Sequence, residues 1–340
     1  MTAGLSILLT WLQFLLCAGV IMFAGTRLTK YGDIIADKTG LGRTWIGVVL
    51  LASVTSLPEL FTGISSVWLF NVPDIAGGNA VGACMVNMLM IALLDLIGGS
   101  TPVAARAHQG HVLSAGFAIL MLGVAGLSLV AGNSFGAIGW IGPYSFVLLG
   151  IYLVAMKTLY SYERRRIAEF AKEFEEGARY HEISNAQAYG WFAANAFVIV
   201  VAAIYLPGIG EKIAAATGLG ETFVGSIFIA LATTLPELTV SLTAYRIGAV
   251  DMAVGNLFGS NLFNVSILAL DDFFYVAGPL LNYVSANHLL SVIGTISMTA
   301  VAVIGLTFRA TRKRFLLSWD ALAIAAIYIV TSFLLYRGNS

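Results

Sequence analysis

Thr55-Ser56-Leu57-Pro58-Glu59-Leu60 and Thr233-Thr234-Leu235-Pro236-Glu237-Leu238 differ at one position and stand 178 residues apart. The match continues at an offset of 177. Asp74, Ala76, Gly78, Asn79, Gly82, Asn87, Ala92, Leu93 and Asp95 recur as Asp251, Ala253, Gly255, Asn256, Gly259, Asn264, Ala269, Leu270 and Asp272. Apolar segments resemble one another by chance because their alphabet is small. Chance does not set Pro-Glu and Gly-Asn in register twice, so the chain reads as an internal duplication.

The duplicated segments sit in a chain of 340 residues that is 59% hydrophobic and 11% charged. Soluble chains are nearer 45–50% apolar and about 25% charged. Eighteen basic and 18 acidic residues cannot cover the surface of a soluble protein of this size. This excludes a soluble enzyme and a disordered chain, and the zero net charge excludes a nucleic-acid partner. An all-α polytopic membrane protein is left. Cys17 and Cys84 lie in apolar stretches and build no disulfide framework.

A spanning helix needs about 20 mostly apolar residues. Ten runs qualify: 5–26, 45–70, 74–98, 111–131, 136–157, 189–206, 219–245, 250–270, 288–308 and 315–336. The runs are unbroken, unlike the period-2 alternation of a β-barrel. The first lacks the basic flank of a signal peptide, since no Lys or Arg precedes Arg27. It is read as the first span, with both termini outside. All but two of the 18 basic residues, Lys212 and Arg337, then fall in cytoplasmic segments, as the positive-inside rule requires. Trp45, Trp68, Trp140, Trp191 and Trp319 fall at span ends. In the long loop between spans five and six, Ile167, Phe170, Ala171 and Phe174 have helical spacing among charges. They suit either a surface amphipathic helix or a solvated connector.

The repeat covers spans two and three, then seven and eight, so each half holds five. The expected organisation is a first five-helix repeat over 1–159, a cytoplasmic linker over 160–188 and a second repeat over 189–340. Five is odd, so the halves enter the membrane in opposite senses. That is the inverted-repeat plan of secondary transporters, whose site lies between the halves at the midplane.

Glu59 and Glu237 are both expected near mid-depth, where a lone charge costs between about 3 and 17 kcal/mol. No Lys, Arg or His lies at mid-depth in any predicted span. Either the two acids are protonated and structural, or a mobile cation sits between them. Their neighbours favour the cation. Ser56, Thr55 and Ala52 share the face of Glu59, and Thr234, Thr233 and Ala230 that of Glu237. Pro58 and Pro236 strip a helical donor from the carbonyls of Val54 and Ala232. Asn87 and Asn264 add neutral oxygens. An all-oxygen set of carboxylates, hydroxyls and amides suits Ca²⁺ and Na⁺ rather than Zn²⁺ or Cu⁺. Asp74 and Asp251 are expected to cap spans three and eight. His108, His111, His181 and His288, in loops or at span ends, receive no role.

VTSLPEL (54–60) with GNAVGACMVN (78–87), and ATTLPEL (232–238) with GNLFGSNLFN (255–264), resemble the two α-repeats of the sodium/calcium exchanger family. The resemblance implies a ten-helix exchanger with its ions held between helices two, three, seven and eight. It implies that Glu59 and Glu237 bind Ca²⁺. It implies that Thr55, Ser56, Thr233, Thr234, Ser260, Asn87 and the carbonyls of Ala52 and Ala230 help bind Na⁺ or Ca²⁺. It also implies that helices one and six slide to expose the site to each side in turn. Three positions depart from the pattern. Ala83 stands where the second repeat has Ser260, Val54 replaces a glycine, and Asn264 is an acid in some members. Glu59 and Glu237 alone carry −2, which one Ca²⁺ or two monovalent cations neutralise.

The sequence therefore predicts a cation antiporter rather than an enzyme, most simply Ca²⁺ against Na⁺. It would sit in the plasma membrane, or the inner membrane of a bacterium. A proton-coupled exchanger, or one carrying another divalent ion such as Mn²⁺, is the nearest alternative. An intramembrane hydrolase using two acids is the alternative from another class. No cofactor beyond the transported ions is expected. The only partners expected are lipid and those ions, and a monomer is expected to suffice.

Overall fold

Glycines and prolines decide where the apolar runs become helices. The computed structural model describes residues 2–39, 52–170, 183–246, 248–313 and 315–338. The chain there is helical, with one isolated bridge between Ile138 and Ile141. The helices are α1 (Thr2–Thr39), α2 (Ala52–Thr55), α3 (Leu57–Ser65), α4 (Pro73–Ile97), α5 (Val103–Arg106), α6 (His111–Ala131) and α7 (Pro143–Phe170). The second half of the chain holds α8 (Asn185–Thr217), α9 (Glu221–Phe223), α10 (Ala230–Thr233), α11 (Leu235–Arg246), α12 (Val250–Phe274), α13 (His288–Phe308) and α14 (Trp319–Gly338). Wider π-helical turns continue α3 over Ser66–Phe70 and join α9 to α10 over Val224–Ile229.

Among the described residues eight helices are long and apolar enough to cross a membrane. A ninth forms if Glu221–Thr233 and Leu235–Arg246, bent by 47°, are taken as one span. The expected second span begins at 45, and residues 40–51 lie outside the described residues. So does the part of the 167–174 amphipathic segment beyond Phe170.

Three runs depart furthest from their predicted limits, and the first of them continues as α1 to Thr39 rather than ending at 26. The fifth starts at Pro143 rather than 136, because Gly136 and Gly139 have φ of +66° and +68° and turn the chain instead. The sixth passes through Pro207 to Thr217. Proline removes the donor that the carbonyl four residues earlier would use. Here that carbonyl belongs to Ala203, and the Thr62 hydroxyl donates to it at 3.3 Å. A neighbouring helix thus satisfies the group that proline orphans, and the helix continues. Thr62→Val should leave that carbonyl unpaired. A buried unpaired group costs about 1–3 kcal/mol, so the midpoint of thermal unfolding in detergent should fall.

Burial separates the centre from the rim. In the most apolar stretches of α4 and α12, 78% and 89% of residues are buried, against 28% in α1, α7 and α14. α4 and α12 pack on each other, and α1 lies along α8 at one side. Leu16, Leu127, Val130 and Phe197 expose large apolar side chains, as a lipid-facing surface must.

Two buried aspartates, related by the repeat, fasten the ends of the central helices. Asp95 at the end of α4 accepts from the amide of Val103 at 2.9 Å and that of Ser318 at 2.8 Å. It also pairs with Lys313 at 3.3 Å. Asp272 at the end of α12 accepts from the amides of Leu280 at 2.6 Å and Gly142 at 2.7 Å. Tyr144 and Ser145 donate to it as well. In both cases the first partner lies eight residues on. The Asp95 end also gathers cations. Arg106 donates to the Tyr245 hydroxyl at 2.9 Å, and Arg309 to the Ala105 carbonyl at 2.8 Å.

Asp74 and Asp251 do not cap their helices, whose N-caps are Val72 and Ala249 without side-chain bonds. They reach across the molecule instead. Asp74 accepts from the Ser285 amide and meets His288 at 3.0 Å. Asp251 accepts from the His108 amide and meets His111 at 3.1 Å. Ser285 and His288 stand at the repeat offset from His108 and His111. The rings of His111 and His288 therefore have a structural part that their positions at span ends concealed, and His181 lies outside the described residues.

Candidate functional site

Both Pro-Glu pairs break a helix. At Ser56 (φ −87°, ψ 11°) and Thr234 (φ −82°, ψ 4°) the backbone leaves helical geometry, and α3 and α11 start afresh at the next residue. Each new helix therefore begins inside the bundle with a glutamate in its first turn. A helix N-terminus carries a partial positive charge that favours an anion there. The preceding carbonyls of Val54 and Ala232, robbed of their helical donor by proline, lie at the same breaks.

Glu59 and Glu237 are fully buried, and the Ser56 hydroxyl, three residues before Glu59, reaches Glu237. Glu237 Oε1 accepts from the Ser56 hydroxyl at 2.8 Å and from Ser260 at 3.4 Å. Glu237 Oε2 and both oxygens of Glu59 have no hydrogen-bond partner. No basic side chain is ion-paired with either among the described residues. Three unpartnered carboxylate oxygens buried in the bundle are an unbalanced charge, and a cation is the group that balances it.

The other predicted residues divide. Thr233 joins the centre, donating to Asn79 Oδ1 at 3.0 Å. Asn87 Nδ2 donates to Asn261 Oδ1 at 3.0 Å and leaves its own oxygen free. Both amide heteroatoms of Asn264 are buried and unpartnered. Thr55 and Thr234 hydroxyls turn back to the carbonyls of Ala52, at 3.2 Å, and Ala230, at 2.8 Å. Those carbonyls are thus already engaged by hydroxyls and by the amides of Ser56 and Thr234.

Asn79, Asn256 and Asn261 were not marked as site residues by the sequence. Asn79 links the halves: its amide donates to the Glu59 carbonyl at 3.0 Å while its oxygen receives Thr233. Its repetition as Asn256 was the available signal. Gly78 and Gly82 let α4 touch the span-seven backbone. A Cβ on Gly78 would fall 2.8 Å from the Ser226 nitrogen, and one on Gly82 2.6 Å from the Ser226 Cα. No group of three or more His, Cys, Asp or Glu side chains placed to hold a metal ion occurs among the described residues, so a cation at the centre would have to draw on hydroxyl and amide oxygens beside the two carboxylates.

The chain matches the family described as sodium/calcium exchanger protein over residues 9–160 and 187–337. It is 27% identical to the sodium/calcium exchanger MaX1 of Methanosarcina acetivorans over 328 residues, 88% of this chain and 91% of that one. Among solved structures it resembles the H⁺/Ca²⁺ exchanger CAX, with a TM-score of 0.68 at 16% identity, covering 97% of this chain and 85% of that one. It also resembles the sodium-calcium exchanger NCX_Mj, with a TM-score of 0.61 at 20% identity, covering 95% and 97%. The likeness to these two structures is one of fold.

Proposed function

The chain belongs to the sodium/calcium exchanger family, an integral membrane transporter family rather than an enzyme family, and from that premise we propose that it exchanges Ca²⁺ against Na⁺ at Glu59 and Glu237. The observation that carries the reading is the pair of buried carboxylates with three oxygens unpartnered. Ca²⁺ takes six to eight oxygen ligands at about 2.3–2.6 Å. Glu59, Glu237, Ser56, Ser260, Thr233, Asn87 and Asn264 supply side-chain oxygens. Thr55, Thr234 and the carbonyls of Ala52 and Ala230 form the next layer and become ligands when the hydroxyls swing from the carbonyls.

The architecture belongs to the same proposal: ten spans, five in 1–159 and five inverted in 189–340, joined by 160–188. The meeting of Arg106, Arg309 and Lys313 at one end supports a cytoplasmic assignment for that end, with both termini outside and the protein in a plasma or bacterial inner membrane. α1 and α8 pack along each other at the side of the bundle, which suits a pair that slides as a unit. No cofactor is required beyond the transported ions, and the monomer contains the whole site.

The test is ⁴⁵Ca²⁺ uptake into proteoliposomes of the purified chain under an imposed Na⁺ gradient and, separately, a pH gradient. Uptake should follow the Na⁺ gradient. Uptake that follows only the pH gradient would replace Na⁺ by H⁺ as the coupling ion. No uptake under either gradient would sink the exchanger reading.

A further inference from the structure

Asp271 is a fully buried aspartate near the end of α12, and neither of its carboxylate oxygens has a hydrogen-bond partner. Asp272 beside it makes the contrast plain, since four donors from two segments, 142–145 and Leu280, hold that carboxylate. Asp271 has no share in that network. It also breaks the repeat, because the position 177 residues earlier is Leu94, an ordinary buried aliphatic.

The carboxylate is aimed at the second span. A Cβ added to Gly63 of α3 would lie 2.6 Å from Asp271 Oδ1 and 2.8 Å from its carboxyl carbon. Only glycine at 63 leaves room for the group. Gly63 lies one turn after Glu59 on the same helical face, about 6 Å along the axis. Asn264, with both heteroatoms unpartnered, lies two turns before Asp271 on one face of α12. The seam between α3 and α12 therefore carries a line of unsatisfied polar groups, running from the central pair toward the Asp272 end.

Neither protonation state satisfies Asp271 within the protein. A carboxylate lacks donors and a counter-charge, and a carboxylic acid lacks an acceptor for its hydroxyl. We propose that Asp271 is a third cation-binding carboxylate, set one turn from Glu59, and that it takes a single monovalent hard cation such as Na⁺. One negative charge in a low-dielectric seam is neutralised by one monovalent ion, whereas a divalent ion would leave an excess. With Asp271 the pathway carries three negative charges, which three Na⁺ balance; Glu59 and Glu237 alone leave one Na⁺ over. The role of this ion in exchange rests on the reading above, but its binding is measured without transport.

The experiment is equilibrium ²²Na⁺ binding to the purified full chain in detergent at fixed pH. Asp271→Asn should lower the number of Na⁺ bound at saturation by one per chain. Glu59→Gln/Glu237→Gln should keep one Na⁺ site that disappears when Asp271→Asn is added. Should Asp271→Asn fail to fold, Gly63→Ala, whose methyl falls on the carboxylate, should weaken that site about tenfold or more. Unchanged Na⁺ number and affinity in these variants, as a buried water or a permanently neutral acid would give, overturns the proposal. Loss of one Na⁺ in a chain that moves no Ca²⁺ would keep this site and sink the exchanger reading. Unchanged Na⁺ binding with Ca²⁺ flux abolished by Glu59→Gln would do the reverse.

Discussion

Glu59→Gln and Glu237→Gln should each abolish gradient-driven Ca²⁺ flux while leaving the protein folded. Removing one partner from a buried charge interaction costs about 3–5 kcal/mol, which corresponds to a loss of Ca²⁺ affinity on the order of 10²–10⁴. The amide keeps the shape and one acceptor oxygen but removes the charge. The two variants should not be equivalent when empty. Glu237 accepts from Ser56 and Ser260 on the same oxygen even without an ion, so Glu237→Gln keeps that acceptor but turns two charge-assisted bonds into weaker neutral ones. Glu59 has no partner to lose, and its neutral variant should unfold at the same temperature as the parent or higher. Flux and thermal unfolding in one preparation measure both effects. Flux of the parent's magnitude in either variant would mean that the carboxylates do not carry the ion.

Asp272→Ala should be the most damaging single change outside the site. Four donors lose their acceptor together: the amides of Gly142 and Leu280 and the hydroxyls of Tyr144 and Ser145. Each buried donor left unpaired costs about 1–3 kcal/mol, and the sum reaches the scale of an ordinary domain's whole stability, about 5–15 kcal/mol. Most of the variant should therefore be lost to aggregation on detergent extraction. Asp272→Asn, which keeps one acceptor oxygen, should be intermediate. Size-exclusion profiles after graded heating will order the three proteins. A monodisperse alanine variant with the parent's midpoint would show that the four donors find other partners.

The residues differ in how far the sequence exposed them. Glu59 and Glu237 were legible because a charge in a long apolar run is conspicuous and its recurrence beside Pro more so. The limits of the sixth and ninth runs show where local reasoning stops. The ninth coincides with α13, whose ends have ordinary signals. The sixth outruns Pro207 because Thr62, far away in sequence, receives its orphaned carbonyl. Asp74 and Asp251 looked like helix caps since both stand in a first turn. Their partners lie 211 and 143 residues away, and no local pattern reports such a distance. Asp271 was masked by its neighbour: Asp272 completes the repeat and suggests that a helix end explains both acids. The direction of a side chain, into a network or away from it, is decided by the crossing of α3 and α12. That crossing is a tertiary fact.

The long reach of the aspartates bears on the order in which the chain is made. Asp74 and Asp95 enter the bilayer early, on α4, yet they accept from Ser285 and Ser318, which lie 211 and 223 residues later. Until those late segments leave the ribosome, both carboxylates of the first half are without these donors. A nascent chain stopped before residue 285 holds α1 to α7 and still lacks both donors. The contacts of Asp74 and Asp95 with Ser285 and Ser318 thus form only near the end of synthesis, when the last helices join the first.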